Sequence, residues 1–140
     1  MIKNKRLPDD IFVRLNAAGS YLVDRDDVLF AYLFGGLATG QAQPLSDVDI
    51  AVYVKQGADM AETKISILGA LVDILGTDEL DLVILNKAPL PLKARVIRAK
   101  HVMVDKEPFE RHRFESLVIR EYFDFSIKEN SFFNQRYRIG

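Results

Sequence analysis

The sequence predicts an α/β fold in which a small mixed sheet is packed with helices, and three observations predict it. Short apolar runs over 28–34 and 80–85, and an alternating run over 47–54, have the length of strands. The stretches around them place apolar residues at steps of three and four, the period of a helix packed by one face. Gly, Pro, Asp and Asn stand at the joins, so each element is short and bounded. Strand, helix, strand, helix, strand is the order of helices layered on a sheet.

Taken in order, Ile11, Phe12, Leu15 and Leu22 predict a first helix over about 9–23, with Asp9 or Asp10 as its cap. VLFAYLF, between Asp26-Asp27 and Gly35-Gly36, is too short for a buried helix and reads as a buried strand that Gly35 ends. A turn-rich loop runs to Ser46, with room for a short helical turn over 37–40, and DVDIAVYV follows as a second strand. Ala61, Ile65, Leu68, Val72 and Leu75 outline one face of a helix over 60–75, which Gly76 closes. LDLVIL is a third strand ending at Asn86. A short helix over 92–100, a fourth strand over 101–104 and a long helix from Pro108 to about Asn130 complete the reading. The 140 residues form one domain, with a core over about 9–105 and a helical segment over about 108–140.

Composition excludes several classes of function. Nineteen basic residues nearly cancel twenty acidic ones, so no overall positive field holds nucleic acid without sequence preference. With no cysteine there is neither a disulfide nor a thiolate metal site, and the cytoplasm is the expected compartment. No apolar stretch approaches the roughly 18 residues of a membrane span, and none follows the first ten residues as a secretory signal would. His101 and His112 lack the spacing of a zinc site and receive no role. Arg111, His112 and Arg113 read as a solvated helix face, while Phe123, Phe125, Phe132, Phe133 and Tyr137 serve either the core or an interface.

The chemistry sits around the second strand. Alternation puts Asp47, Asp49 and Ala51 on one face and Val48, Ile50 and Val52 on the other. Two neighbouring carboxylates repel unless a cation lies between them, and Mg²⁺ favours carboxylate oxygens together with substrate phosphates. Asp81, alone in an apolar run, is an acid that would be expensive to bury unpaired, and a strand beside that of Asp47 would bring it into a triad. Upstream, Gly35 and Gly36 follow a buried strand and allow backbone N–H groups to approach a phosphate.

The segment GGLATGQAQPLSDVDIAV resembles the minimal nucleotidyltransferase (MNT) signature of the DNA polymerase β superfamily, Gly-Ser, ten residues, then Asp-x-Asp. It matches at Gly35, Ala38, Gly40, Ser46, Asp47 and Asp49, with the ten-residue spacing intact from Leu37 to Ser46. The resemblance implies a polymerase β palm-like fold and Mg²⁺- or Mn²⁺-dependent transfer of AMP from ATP to a hydroxyl. Asp47, Asp49 and Asp81 are then the catalytic and metal-binding residues, and Gly35, Gly36 and Ser46 bind the nucleotide. Such proteins resemble antitoxins that AMPylate a tyrosine of a HEPN-family toxin, which makes that toxin the expected partner and ATP the substrate. Two departures stand out: Gly36 replaces the family's serine, and Thr39 stands where a basic residue is common. Loss of one hydroxyl hydrogen bond, about 1–3 kcal/mol, slows transfer about tenfold to a hundredfold. The alternatives are a protein that neutralises its partner by binding alone and an adenylyltransferase acting on a small molecule.

Overall fold

A computed structural model describes residues 7–40, 47–98 and 101–136, with side chains through residue 131. Helix α1 (Ile11–Asp24) leads into β1 (Val28–Phe34), the short helix α2 (Gly35–Thr39) and β2 (Val48–Val54). Then come α3 (Met60–Leu75), β3 (Leu80–Ile84), a 3₁₀ turn (Leu85–Lys87), α4 (Leu90–Arg98), β4 (His101–Asp105) and α5 (Pro108–Arg136). The four strands form one mixed sheet in the order β3-β2-β1-β4, with β2 and β3 parallel and the other pairs antiparallel.

The sheet separates two apolar layers. Ile11, Leu15, Ala18 and Leu22 of α1 and Ile67, Leu71 and Leu75 of α3 pack on the face formed by Val48, Ile50 and Val52. On the other face, Val96 and Leu92 of α4 and Phe114 of α5 meet Phe30, Tyr32, Phe34, Ala51 and Val83. The predicted alternation of β2 is thus realised, with the Asp49 side of the strand turned toward α4 and α5. An irregularity between Val28 and Phe30 moves Phe30 onto this second face, where its ring stacks on Tyr53 at 4.7 Å.

Two helix faces differ from expectation. The buried residues of α3 are Thr63, Ile67, Leu71 and Leu75, whereas Ile65 is 72% exposed. The helix is apolar on more than one side, so two registers fit the spacing, and Ile67-Leu71-Leu75 is the one that meets α1 and the sheet. In α1, Phe12 is also exposed. Asp10 occupies the cap position without a capping hydrogen bond, because its carboxylate accepts from Arg14 Nε at 2.8 Å. Asp59 caps α3 by accepting from the Glu62 N–H.

Side chains also fix α4 and α5 over the sheet. The amide of Asn86 extends the β2 ladder past the end of β3, accepting from Val54 N at 3.0 Å and donating to Val54 O at 2.8 Å. That anchors the chain just before α4. The buried Tyr32 hydroxyl donates to Glu115 at 2.7 Å, and Arg111 pairs with both Glu115 and Asp105. Among the described residues, no helix is long and apolar enough to cross a membrane.

Candidate active site

One row of residues across the sheet builds the site. Phe34 closes β1 and faces Asp49 of β2, and Asp49 in turn faces Asp81 of β3. Cross-strand partners share a face, so two carboxylates and an aromatic ring lie side by side on the α4/α5 side of the sheet. Asp47 stands one residue before β2, whose start is tied to the residue preceding β3 by Val48 N donating to Glu79 O at 2.9 Å. The condition set for the triad, that the strand of Asp81 neighbour that of Asp47 and Asp49, is met in parallel register.

Asp81 departs from its expected setting. It is exposed at the start of an edge strand, not buried among Leu82, Val83 and Ile84, so solvation rather than a partner makes its charge tolerable. Asp47 and Asp49 are half-buried. Among the described residues, no group of three or more His, Asp or Glu side chains is gathered closely enough to hold a metal ion as it stands.

Gly35 fits the row for two reasons. Its φ of +73° lies in the left-handed region, and a Cβ built there would collide with Oδ2 of Asp49. Glycine therefore lets the strand-to-helix turn press against the carboxylate. Gly36 lies inside α2 with no such backbone demand. Thr39 spends its hydroxyl within this short helix, donating to the carbonyls of Gly35 and Gly36 at 3.2 and 3.3 Å. The left-handed Gly40 ends the helix, its N–H bonded to Gly36 O. Ser46 lies outside the described residues.

Sequence reading missed three features, two of them beside this row. Arg95 of α4 lies over the Phe34 ring, its guanidinium carbon 5.7 Å from the centroid. A cleft of about 430 Å³ runs along β3 from Asp81, flanked by Lys64 of α3 and Lys87 of the 3₁₀ turn. A larger groove of about 790 Å³, bordered by α1, α2 and β4, includes His101 but none of the three carboxylates. Apolar and charge patterns along one chain carry no signal for such contacts between distant elements. His112 lies 3.2 Å from Arg111 Nη2 on the exposed side of α5, and Phe123 and Phe125 are exposed on the same helix.

The sequence matches the polymerase β nucleotidyltransferase family over residues 16–109, a span that holds the whole row and both glycines. The chain belongs to this family. Several solved structures share its fold. A toxin–antitoxin structure with AMP-PNP superposes with a TM-score of 0.71 at 21% identity, covering 86% of this chain and 96% of the other. The toxin–antitoxin MntA-HepT gives 0.66 at 21% identity, over 89% and 97% of the two chains. A tri-AMPylated Shewanella oneidensis HEPN toxin in complex with an MNT antitoxin gives 0.67 at 20% identity, over 89% and 96%. No curated protein matches the sequence.

In this family fold, the donors present suit a hard divalent cation. Asp47, Asp49 and Asp81 offer oxygen alone, the ligand type Mg²⁺ takes together with phosphate oxygens and water. The Gly35 turn leaves space against one of these carboxylates that any side chain would fill.

Proposed function

We propose that this chain is a nucleotidyltransferase antitoxin that moves AMP from ATP to a tyrosine hydroxyl of a HEPN-type toxin. The observation that carries the reading is the row Phe34-Asp49-Asp81 beside the left-handed Gly35, within a sequence of the polymerase β nucleotidyltransferase family. Structural likeness to toxin–antitoxin complexes, one with AMP-PNP and one with an AMPylated toxin, supports the choice of substrate and partner.

Asp47 and Asp49 would hold Mg²⁺ or Mn²⁺, which when bound neutralises the triphosphate and aligns the attacking oxygen. The N–H groups of Gly35 and Gly36, with Ser46, would receive phosphate oxygens. Asp81, exposed at the mouth of the cleft along β3, orients the acceptor hydroxyl and takes its proton. The acceptor oxygen bonds to the α-phosphorus as the bond to the α,β-bridging oxygen breaks, and pyrophosphate leaves. Solvent access at Asp81 suits an acceptor that arrives on another protein.

A second reading has its own observation: glycine at position 36, where the nucleotidyltransferase signature has serine. In it, the chain neutralises its partner by occlusion. Intact-mass spectrometry of a HEPN partner co-expressed with wild type or Asp49→Asn separates the two. The transfer reading expects mass steps of one adenylyl group with wild type and none with the variant. An unmodified yet fully inhibited partner would establish occlusion instead.

A further inference from the structure

We infer that Arg95 is the residue that grips the β- and γ-phosphates of the nucleotide, reaching the site from α4 across the ring of Phe34. The inference rests on the nucleotidyltransferase reading and adds to it a group outside the glycine turn and the carboxylates.

The geometry starts at Phe34, which is fully buried and is the last residue before the turn. Its ring shares the face of Asp49, and its carbonyl carbon leads directly into Gly35. A cation over this ring therefore stands on the sheet face of Asp49, at the residue that precedes the turn. Arg95 covers it, with the guanidinium carbon 5.7 Å from the ring centroid. A guanidinium resting on an aromatic ring keeps its N–H edges available, and those edges match phosphate oxygens in a two-point fork.

Arg95 is also uncommitted. Arg14, Arg25, Arg111 and Arg113 are each held by a carboxylate, at Asp10, Asp27, Asp105 and Glu110 respectively. Among the described residues Arg95 has its ring contact and no ion pair, and its side chain is exposed. The helix α2, GGLAT, carries no basic residue of its own, so a triphosphate lying on it finds no cation there. The backbone supports the arrangement: Asn86 fixes the start of the α4 segment to β2, and the neighbouring Val96 is buried against the sheet. Arg95 is thus held over Phe34 without being consumed by the fold.

Isothermal titration with AMP-PNP and with AMP, each in Mg²⁺ buffer, tests the assignment on wild type, Arg95→Ala and Arg95→Lys. Arg95→Ala is expected to weaken AMP-PNP about tenfold or more while leaving AMP unchanged, and Arg95→Lys to fall between it and wild type. A merely structural role would not change triphosphate-over-monophosphate preference, and the exposed side chain should leave the melting temperature in place. Equal AMP-PNP affinity for Arg95→Ala and wild type would overturn the assignment while leaving the enzyme reading intact. An equal loss for AMP and AMP-PNP would also overturn it, since the effect would then lie elsewhere than the β- and γ-phosphates. A wild type that binds neither nucleotide would remove the reading on which it rests.

Discussion

Replacing Gly35 by alanine should damage the protein twice, and a second glycine allows the two effects to be separated. Gly35 and Gly57 both have positive φ, +73° and +89°. At Gly57 a Cβ would meet nothing within 4 Å, so Gly57→Ala carries only the left-handed penalty of about 1–2 kcal/mol. At Gly35 the new Cβ collides with Asp49 Oδ2 and lies 3.0 Å from its Cγ and 3.4 Å from its Cβ. Rotation of the Asp49 side chain relieves the first two contacts and leaves the third as ordinary packing. The excess over Gly57→Ala should therefore sit at the low end of the overpacking range, about 1 kcal/mol. The larger consequence is chemical, because a rotated Asp49 no longer lies beside Asp81. Misplacing a reacting group by about 1 Å is worth about a hundredfold in rate, so AMP transfer should drop at least that far. Urea denaturation of Gly35→Ala, Gly57→Ala and Gly35→Ala/Asp49→Ala measures the first effect, and the double variant should recover the excess. Equal stability losses at positions 35 and 57, with no coupling between positions 35 and 49, would refute the close approach of turn and carboxylate.

Tyr32→Phe removes the 2.7 Å hydrogen bond from a buried hydroxyl to Glu115, and hydrogen bonds to charged groups are worth about 1.5–3 kcal/mol; a urea midpoint shift equivalent to less than about 0.5 kcal/mol would show that this hydroxyl does not hold Glu115. Asp27 receives two hydrogen bonds from Arg25, at 2.9 and 2.8 Å, and that guanidinium holds its carboxyl below the usual range against a smaller opposing effect of burial. Its lowered folded-state pKa means the pair contributes stability above the unfolded value, near pH 4, and loses it as pH falls through the folded value. Asp27→Asn should accordingly flatten the fall of melting temperature below about pH 4, and an unchanged acid limb would exclude the pair as its source. Gly36→Ser adds a hydroxyl at a helical position with no left-handed strain, and should speed AMP transfer about tenfold in a manner abolished by Asp49→Asn. No gain over an inactive wild type would leave occlusion as the function.

Most of the elements were legible because their signals are local. The run VLFAYLF and the glycines after it bound β1 to the residue, and Gly76, with φ +69°, ends α3 where the apolar spacing stops. Faces were less legible where a helix is apolar on several sides. In α3 the choice between Ile65 and Ile67 is made by α1 and the sheet, not by the helix itself. The irregularity that turns Phe30 onto the α5 side of the sheet likewise answers to its stacking partner Tyr53, 23 positions away.

The candidate site divides along the same line. Asp47 and Asp49 were readable because a strand alternates and because the spacing from Gly35 is fixed along the chain. Asp81 was readable as an anomaly, an acid in LDLVIL, but for a reason the structure replaces: it sits at the exposed start of an edge strand, so burial does not force it to seek a partner. What brings it to Asp49 is the parallel register of β3 on β2, a property of two backbones that neither segment carries alone. Arg95 marks the limit of such reading. Its partner Phe34 is 61 positions away, and a guanidinium over a ring leaves no periodic trace in either segment. In sequence it is one of three basic residues on a short helix; in the fold it is the one laid over Phe34, the cross-strand partner of Asp49 and the residue before Gly35.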